Sequence, residues 1–297
     1  MSKFQVFTDS CSDLGTAIRK KYGIEYCRMN IVLDGEEKPA DLDFQLYSYE
    51  EFYGWMFAGR KIKTTQVPVT EFVAQFRPYL EKGVDILYIA CGSKLSGSIN
   101  VFELAKEQLL EDFPDRKLIG IDTLSATGGE YLMAIKAAEL AKEGKSVEEV
   151  AEFLNNDKIN YQYAATVDDL KYLKNAGRIK GAKAFFGNIM GVKPILVSGA
   201  DGNNIAVKNA RGTKASLEEL FNFVKENIND KTTKVLVGQG KAEASALKLK
   251  ERITTELNLP VEEFIIGPII GTSCGPGVVM VSFYGKPKTH TIEAEGK

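Results

Sequence analysis

Val84-Asp85-Ile86-Leu87-Tyr88-Ile89-Ala90-Cys91-Gly92-Ser93-Lys94-Leu95-Ser96-Gly97-Ser98 decides the fold. Val84–Ala90 is a near-continuous apolar run bounded by polar residues, the pattern of a strand buried on both faces. Gly92–Ser98 then breaks the chain with glycine and hydroxyl residues, and a helical pattern opens near Ile99 and runs to Phe113. The same unit recurs on either side. Lys3–Thr8 is a short strand followed by a helix near Asp13–Tyr22 that Gly23 ends, and Lys117–Ile121 is a strand followed by a helix over Gly128–Lys142. Repeated βα units of this kind predict a parallel, doubly wound sheet with right-handed connections.

Between the first two units, Ile24–Leu33 is strand-like, and Asp34-Gly35 signals a turn into a hairpin arm. Ser48-Tyr49-Glu50-Glu51 and Ser146-Val147-Glu148-Glu149 are capping boxes. Phe72, Phe76 and Leu80 stand at helical spacing after Thr70. Near Ile159 the apolar runs shorten. Lys193–Ser198, a turn through Gly199–Gly202, and Asn204–Asn209 read as an antiparallel hairpin, with further strands at Val235–Gly238, Phe264–Gly267 and Val278–Tyr284. The expected fold is therefore α/β with two closely packed domains. Residues 1–160 form a doubly wound parallel sheet, and residues 161–297 a mixed α+β domain with antiparallel strands.

Composition narrows the function. With 44% hydrophobic and 26% charged residues the chain reads as globular. Its length of 297 residues allows roughly 75% of the unfolded surface to be buried. A formal net charge of −2 without a basic block argues against nucleic acid as a partner. No apolar run approaches a membrane span, and the N-terminus has no signal-peptide pattern. The cysteines at 11, 27, 91 and 274 are far apart and lack metal-ligand spacing, so they read as thiols in a reducing, cytoplasmic setting. His290 is the one histidine and sits in a polar tail, which leaves little room for histidine-based catalysis.

Three segments fall at strand carboxyl ends, where open parallel sheets bind ligands: Thr8-Asp9-Ser10, Gly92–Ser98 and Asp122–Gly129. Their hydroxyls and glycines suit an anion at a helix N-terminus, and they equally suit helix capping. Ser96 lacks a Gly-x-Ser-x-Gly elbow, so it reads as an anion donor. Asp9, without an acidic cluster around it, reads as a hydrogen-bonded strand-end residue. The glycine-rich Gly181–Gly191 stretch is helix-like and admits close packing or a slender apolar ligand. Gly267–Gly277 reads as a glycine/proline loop between two strands, bringing N–H groups to a ligand or simply reversing the chain.

The pieces Thr8-Asp9-Ser10, Thr64-Thr65-Gln66-Val67-Pro68, Ser93–Ser98, Asp122-Thr123, Asp168–Leu173 with Gly177-Arg178-Ile179, Val192–Leu196 and Gly267–Gly277, in this order and spacing, resemble the DegV family over nearly the whole chain. The resemblance implies a non-catalytic bacterial carrier that buries one long-chain fatty acid as its ligand and needs no cofactor or metal. It implies that the carrier presents the carboxylate to a separate fatty acid kinase subunit, which makes an acyl phosphate for phospholipid synthesis. Position by position, Thr64 and Ser96 would bond the carboxylate, Gly97 would supply an N–H, and Thr65 would replace Thr64 if the register slipped by one. Arg178 matches the arginine that works with the kinase. Phe185, Ile189 and Ile195 become candidates along the acyl chain. The family loop usually carries a histidine where this chain has Ser273, followed here by Cys274; a hydroxyl donates a hydrogen bond but does not titrate near neutral pH. Two other readings stand beside the carrier: a hydrolase or transferase using Ser96 or Asp9, and a lipid-responsive regulator. In the carrier, about 14 buried methylenes at ~0.8 kcal/mol each would contribute ~11 kcal/mol before ordering costs.

Overall fold

The computed structural model describes residues 4–180 and 191–292. Strands β1 (Phe4–Asp9) and β2 (Ile24–Cys27) are followed by a small antiparallel arm of β3 (Asn30–Leu33), β4 (Glu36–Pro39) and β5 (Ile62–Thr64), and then by β6 (Asp85–Ala90) and β7 (Leu118–Asp122). The sheet order β2-β1-β6-β7 is parallel throughout, as the βα repeat predicts. The strand-like run 24–33 divides at Arg28-Met29, so that β2 joins the parallel sheet and β3 the arm.

Helices α1 (Thr16–Tyr22), α2 (Tyr49–Phe57), α3 (Val69–Leu80) and α4 (Ser98–Asp112) precede α5 (Thr127–Lys142) and α6 (Val147–Asp157). Both capping boxes form: the Ser48 and Ser146 hydroxyls accept from the backbones of Glu51 and Glu149, whose carboxylates accept in return. Phe72, Phe76 and Leu80 bury one stripe of α3 beside Phe7, Tyr88 and Phe102. Burying aromatic side chains of this size contributes roughly 2–3 kcal/mol each.

Beyond residue 160 the chain builds a seven-stranded mixed sheet from β8 (Tyr161–Thr166), β9 (Ile179–Lys180), β10 (Val192–Ser198), β11 (Asn204–Arg211), β12 (Val235–Gly240), β13 (Val261–Ile265) and β14 (Val278–Tyr284), ordered β13-β12-β14-β8-β10-β11-β9. Helix α7 (Leu170–Ala176) lies between β8 and β9; α8 (Gly212–Asn227) and α9 (Glu243–Leu257) cover the far face, over Ile195, Val197 and Val281. The segment expected as a loop at 267–277 instead contains helix α10 (Pro268–Cys274). Pro268 at the first helical position presets φ and lacks only an N–H that would have no helical partner, so the Gly-Pro pair starts a helix here rather than a reversal.

One element joins the two sheets. Every residue of α5 from Thr127 to Leu140 except Lys136 and Glu139 is buried, and the helix packs on β1 and β6 on one side and on β8 and β14 on the other. A single apolar cluster accordingly runs from Val6, Leu87 and Ile121 through Met133 and Ala134 to Ala165, Val278 and Met280. The carboxyl edge of the parallel sheet is thereby held against the inner face of the mixed sheet.

Candidate ligand site between the two sheets

A cavity of about 140 Å3 lies at this junction. The loops after β1, β6 and β7 supply Cys11, then Cys91, Leu95, Ser96 and Gly97, then Ala126 and Thr127. The arm supplies Met29, Thr64, Thr65 and Gln66. The mixed sheet supplies Tyr163, Ala165, Ile179, Leu196, Asn204 and Met280, and α7 and α10 supply Leu173, Ala176, Ile269, Ile270, Ser273 and Cys274, with Arg178 beside them. The wall along the mixed sheet is thus apolar or sulfur-bearing apart from Tyr163, whose hydroxyl donates to Asn204, and it is polar where the arm meets the start of α4.

The polar side is organised by Ser96. Its hydroxyl lies 2.9 Å from that of Ser98 and accepts from the Ser98 backbone N–H at 3.3 Å. Ser98 Oγ in turn accepts from the Val67 N–H at 3.1 Å. Gly97, the N-cap of α4, lines the cavity, which therefore faces the positive end of a 15-residue helix. Arg178 is exposed and donates to the carbonyls of Leu95 (3.4 Å) and Ala176 (2.6 Å), holding its charge at the edge of the cavity.

Thr64, Thr65, Ser96, Gly97, Ser273, Cys274 and Arg178 are all brought to one cavity. Ile195 is not. It packs under α8 with Leu220 and Phe221, and its neighbour Leu196 faces the cavity instead. Successive strand residues point to opposite faces, so a register error of one residue moves a side chain through the sheet; a register shift against β11 at Ile195/Leu196 hides the correct parity further. Phe185 and Ile189 lie outside the described residues.

The other two hydroxyl segments are largely spent inside the protein. Thr8 donates to Glu130 (2.6 Å), Ser10 to the Ala40 carbonyl (2.9 Å), and Thr123 to the Ala90 carbonyl (2.7 Å). Asp9 is fully buried and accepts from Tyr88 Oη (2.6 Å) and the N–H groups of Cys91 (3.0 Å) and Cys11 (2.9 Å). It is a strand-end residue tying three segments together. Burial, and then the neighbouring Asp9, push the Glu130 carboxyl well above its usual range; with two donors, the Thr8 hydroxyl and the Asp9 backbone N–H, against three donors on Asp9, Glu130 is the member of the pair that holds the proton. A protonated Glu130 lowers the negative potential behind the cavity.

The thiols are equally unreactive. Burial pushes Cys274 up to about 12, and a hydrogen bond with Cys91 together with burial raises Cys11 well above its usual value. Ser96 has hydroxyl and backbone neighbours, Lys94 is exposed, and neither Lys94 nor His290 lines the cavity. Among the described residues no base therefore stands ready to activate Ser96. Sequence reasoning missed Cys11, Met29, Cys91 and Met280 as cavity residues; isolated thiols and thioethers carry no binding signal of their own, and only the fold shows that they border open space.

Comparison with known proteins places this geometry among relatives. A family model described as "Uncharacterised protein, DegV family" matches residues 3–286. A DegV domain-containing protein of Clostridium perfringens is 33% identical over 292 residues, 97% of this chain and 99% of that protein. The crystal structure of a DegV lipid binding protein from Thermotoga maritima is similar with a TM-score of 0.83 at 25% identity, covering 96% of this chain and 99% of that one. A structure described as fatty acid binding of a DegV family protein from Thermus thermophilus is similar with a TM-score of 0.82 at 27% identity, covering 95% and 99%.

Proposed function

The chain belongs to the DegV family, and from that premise we propose that it is a carrier that buries a long-chain fatty acid between its two sheets. The observation that carries this reading is the polarity of one cavity. Met29, Leu196 and Met280 offer an apolar wall, while Thr64, Ser96 and Gly97 gather donors beside the N-terminus of α4. When Ser98 donates to Ser96, the Ser96 hydroxyl hydrogen is free for a carboxylate, which needs several donors to be removed from water. A cavity near 150 Å3 admits a benzene-sized group, so a full acyl chain is accommodated by displacement of flexible side chains, Met29, Leu95 and Met280 among them.

The same reading divides the chain near residue 160 into a carboxylate-binding part and an acyl-binding part. It assigns no catalysis to the chain itself, since Ser96 has no base beside it among the described residues. The bound acid is handed to a separate kinase subunit, with the exposed Arg178 at the cavity edge as its contact. The four cysteines, all buried and unbridged, suit a reducing cytoplasm.

Ser96→Ala tests the polar end. Losing one hydrogen bond to a charged group costs about 1.5–3 kcal/mol, against the ~11 kcal/mol gross attributed to the chain. Oleate affinity measured by calorimetry should fall roughly ten- to a hundredfold in the variant, from the same figure, while binding persists. Complete loss of binding would reverse the ranking of head and tail.

A further inference from the structure

The inner face of the mixed sheet is apolar in one row and polar in the next. Ala165 on β8 stands between Leu196 on β10 and Met280 on β14, and Leu196 pairs in turn with Ala206 on β11. All of them belong to the apolar cluster that spans the two sheets. Side chains on one face recur every second residue, roughly 7 Å along the strand. The next row on that face reads Ser282, Tyr163, Ser198 and Asn204. Ser282 pairs with Tyr163, Ser198 pairs with Asn204, and the Tyr163 N–H donates to the Ser198 hydroxyl at 3.4 Å. Each carries a hydroxyl or an amide, and Tyr163 and Asn204 border the cavity itself.

This row has hydrogen-bonding capacity left over. The hydroxyl of Tyr163, a residue only 4% exposed, donates to Asn204 Oδ1. Burial holds that hydroxyl in its neutral form. Its lone pairs remain, and among the described residues nothing accepts from the Asn204 amide. Ser282 Oγ, at the other end of the row, is buried with no partner among the described residues. The Thr127 hydroxyl also borders the cavity, but it is spent on Asp13 at 2.7 Å. The second carboxyl oxygen of Asp13 accepts from the Gly267 N–H at 2.9 Å, which ties α5 to α10. A plain polymethylene chain laid over Asn204 would cover a donor that it cannot pair. Leaving a buried donor unpaired costs roughly ten- to a hundredfold in affinity.

We propose that Tyr163 and Asn204 are specificity-determining residues, and that the cavity takes a fatty acid bearing a hydroxyl group on its chain. The Asn204 amide donates to the ligand oxygen, and the ligand hydroxyl donates to Tyr163 Oη, so the added group both accepts and donates once it leaves water. The inference rests on the fatty-acid reading for the carboxylate and the bulk of the chain, and narrows that reading to an oxygenated class.

Displacement of a fluorescent fatty acid by stearate, and by a series of monohydroxystearates with the hydroxyl moved along the chain, tests it. At least one isomer should bind roughly tenfold or more tightly than stearate. Isomers whose hydroxyl falls several carbons away should bind more weakly than stearate, because that hydroxyl is buried against apolar side chains. In Asn204→Leu, similar in volume and without donors, the advantage of the best isomer should disappear. Tyr163→Phe removes the acceptor and should reduce the advantage too, which keeps the idea testable if N204L fails to fold. The ratio of two affinities within one variant separates recognition from support of the fold, since a residue that only braces the sheet would weaken both acids alike. Stearate that binds as tightly as every isomer, or an advantage that survives either substitution, overturns the proposal and leaves the fatty-acid reading standing. A protein that takes up neither the probe, stearate nor any isomer overturns both.

Discussion

Ala165→Phe is expected to abolish oleate uptake, by more than a hundredfold, in a protein that still folds. Ala165 is buried on β8, lines the cavity, and pairs across the sheet with Leu196 and Met280, which line it too. The substitution adds a phenyl ring to a void of about 140 Å3, and a cavity near 150 Å3 is known to hold benzene. The ring fills open space, so the overpacking penalty should stay at or below about 1–3 kcal/mol. An acyl chain excluded from even half of its path loses roughly seven methylenes of burial at ~0.8 kcal/mol each. Set beside Ser96→Ala, the variant separates the two terms: filling the apolar wall eliminates binding, whereas removing a head-group donor only weakens it. Calorimetric titration with oleate, with a thermal melt as control, measures both. Unchanged oleate affinity in A165F would show that the acyl chain lies elsewhere.

The second large effect concerns the packing that creates the cavity. Gly128, in the first turn of α5, approaches β14 so closely that an added Cβ would lie 2.3 Å from Ser282 Oγ and 2.5 Å from Ser282 Cβ. Ser282 is fully buried, so its hydroxyl has nowhere to swing. Gly128→Ala should therefore destabilise the protein by about 1–3 kcal/mol, as overpacked cores do. Ser282→Gly should restore space in the double variant, with a coupling energy of about 1–2 kcal/mol in urea unfolding. Additive losses would mean that α5 and β14 move apart freely, contrary to the single apolar cluster that spans both sheets.

These contacts mark what the sequence made legible. Local rules sufficed wherever one segment carried its own signal: the buried run at 84–90, the capping boxes at Ser48 and Ser146, the hairpin from β10 to β11, and the hydroxyl-glycine edge that places Ser96 and Gly97 at a helix N-terminus. They failed where the outcome depended on distant partners. Gly-Pro at 267–268 reads as part of a loop between two strands, yet the Asp13 carboxyl 254 positions away holds the N-cap of a helix there. The parity of Ile195 and Leu196 depends on a register shift in pairing with β11, which no composition reveals. The Thr8, Ser10 and Thr123 hydroxyls share the character of Ser96 but are consumed by partners that only the fold brings close. Asp13 itself had no signal of its own, because its role exists only once α5 and α10 meet.

The central claim is that the space between the sheets is an acyl-chain site with a carboxylate at its polar end. Protein purified under native conditions from cells should be extracted with organic solvent and the extract analysed by mass spectrometry. The account predicts a long-chain fatty acid in near one-to-one ratio with wild-type protein and its absence from A165F. A wild-type protein that is empty on purification and also takes up no oleate would contradict it.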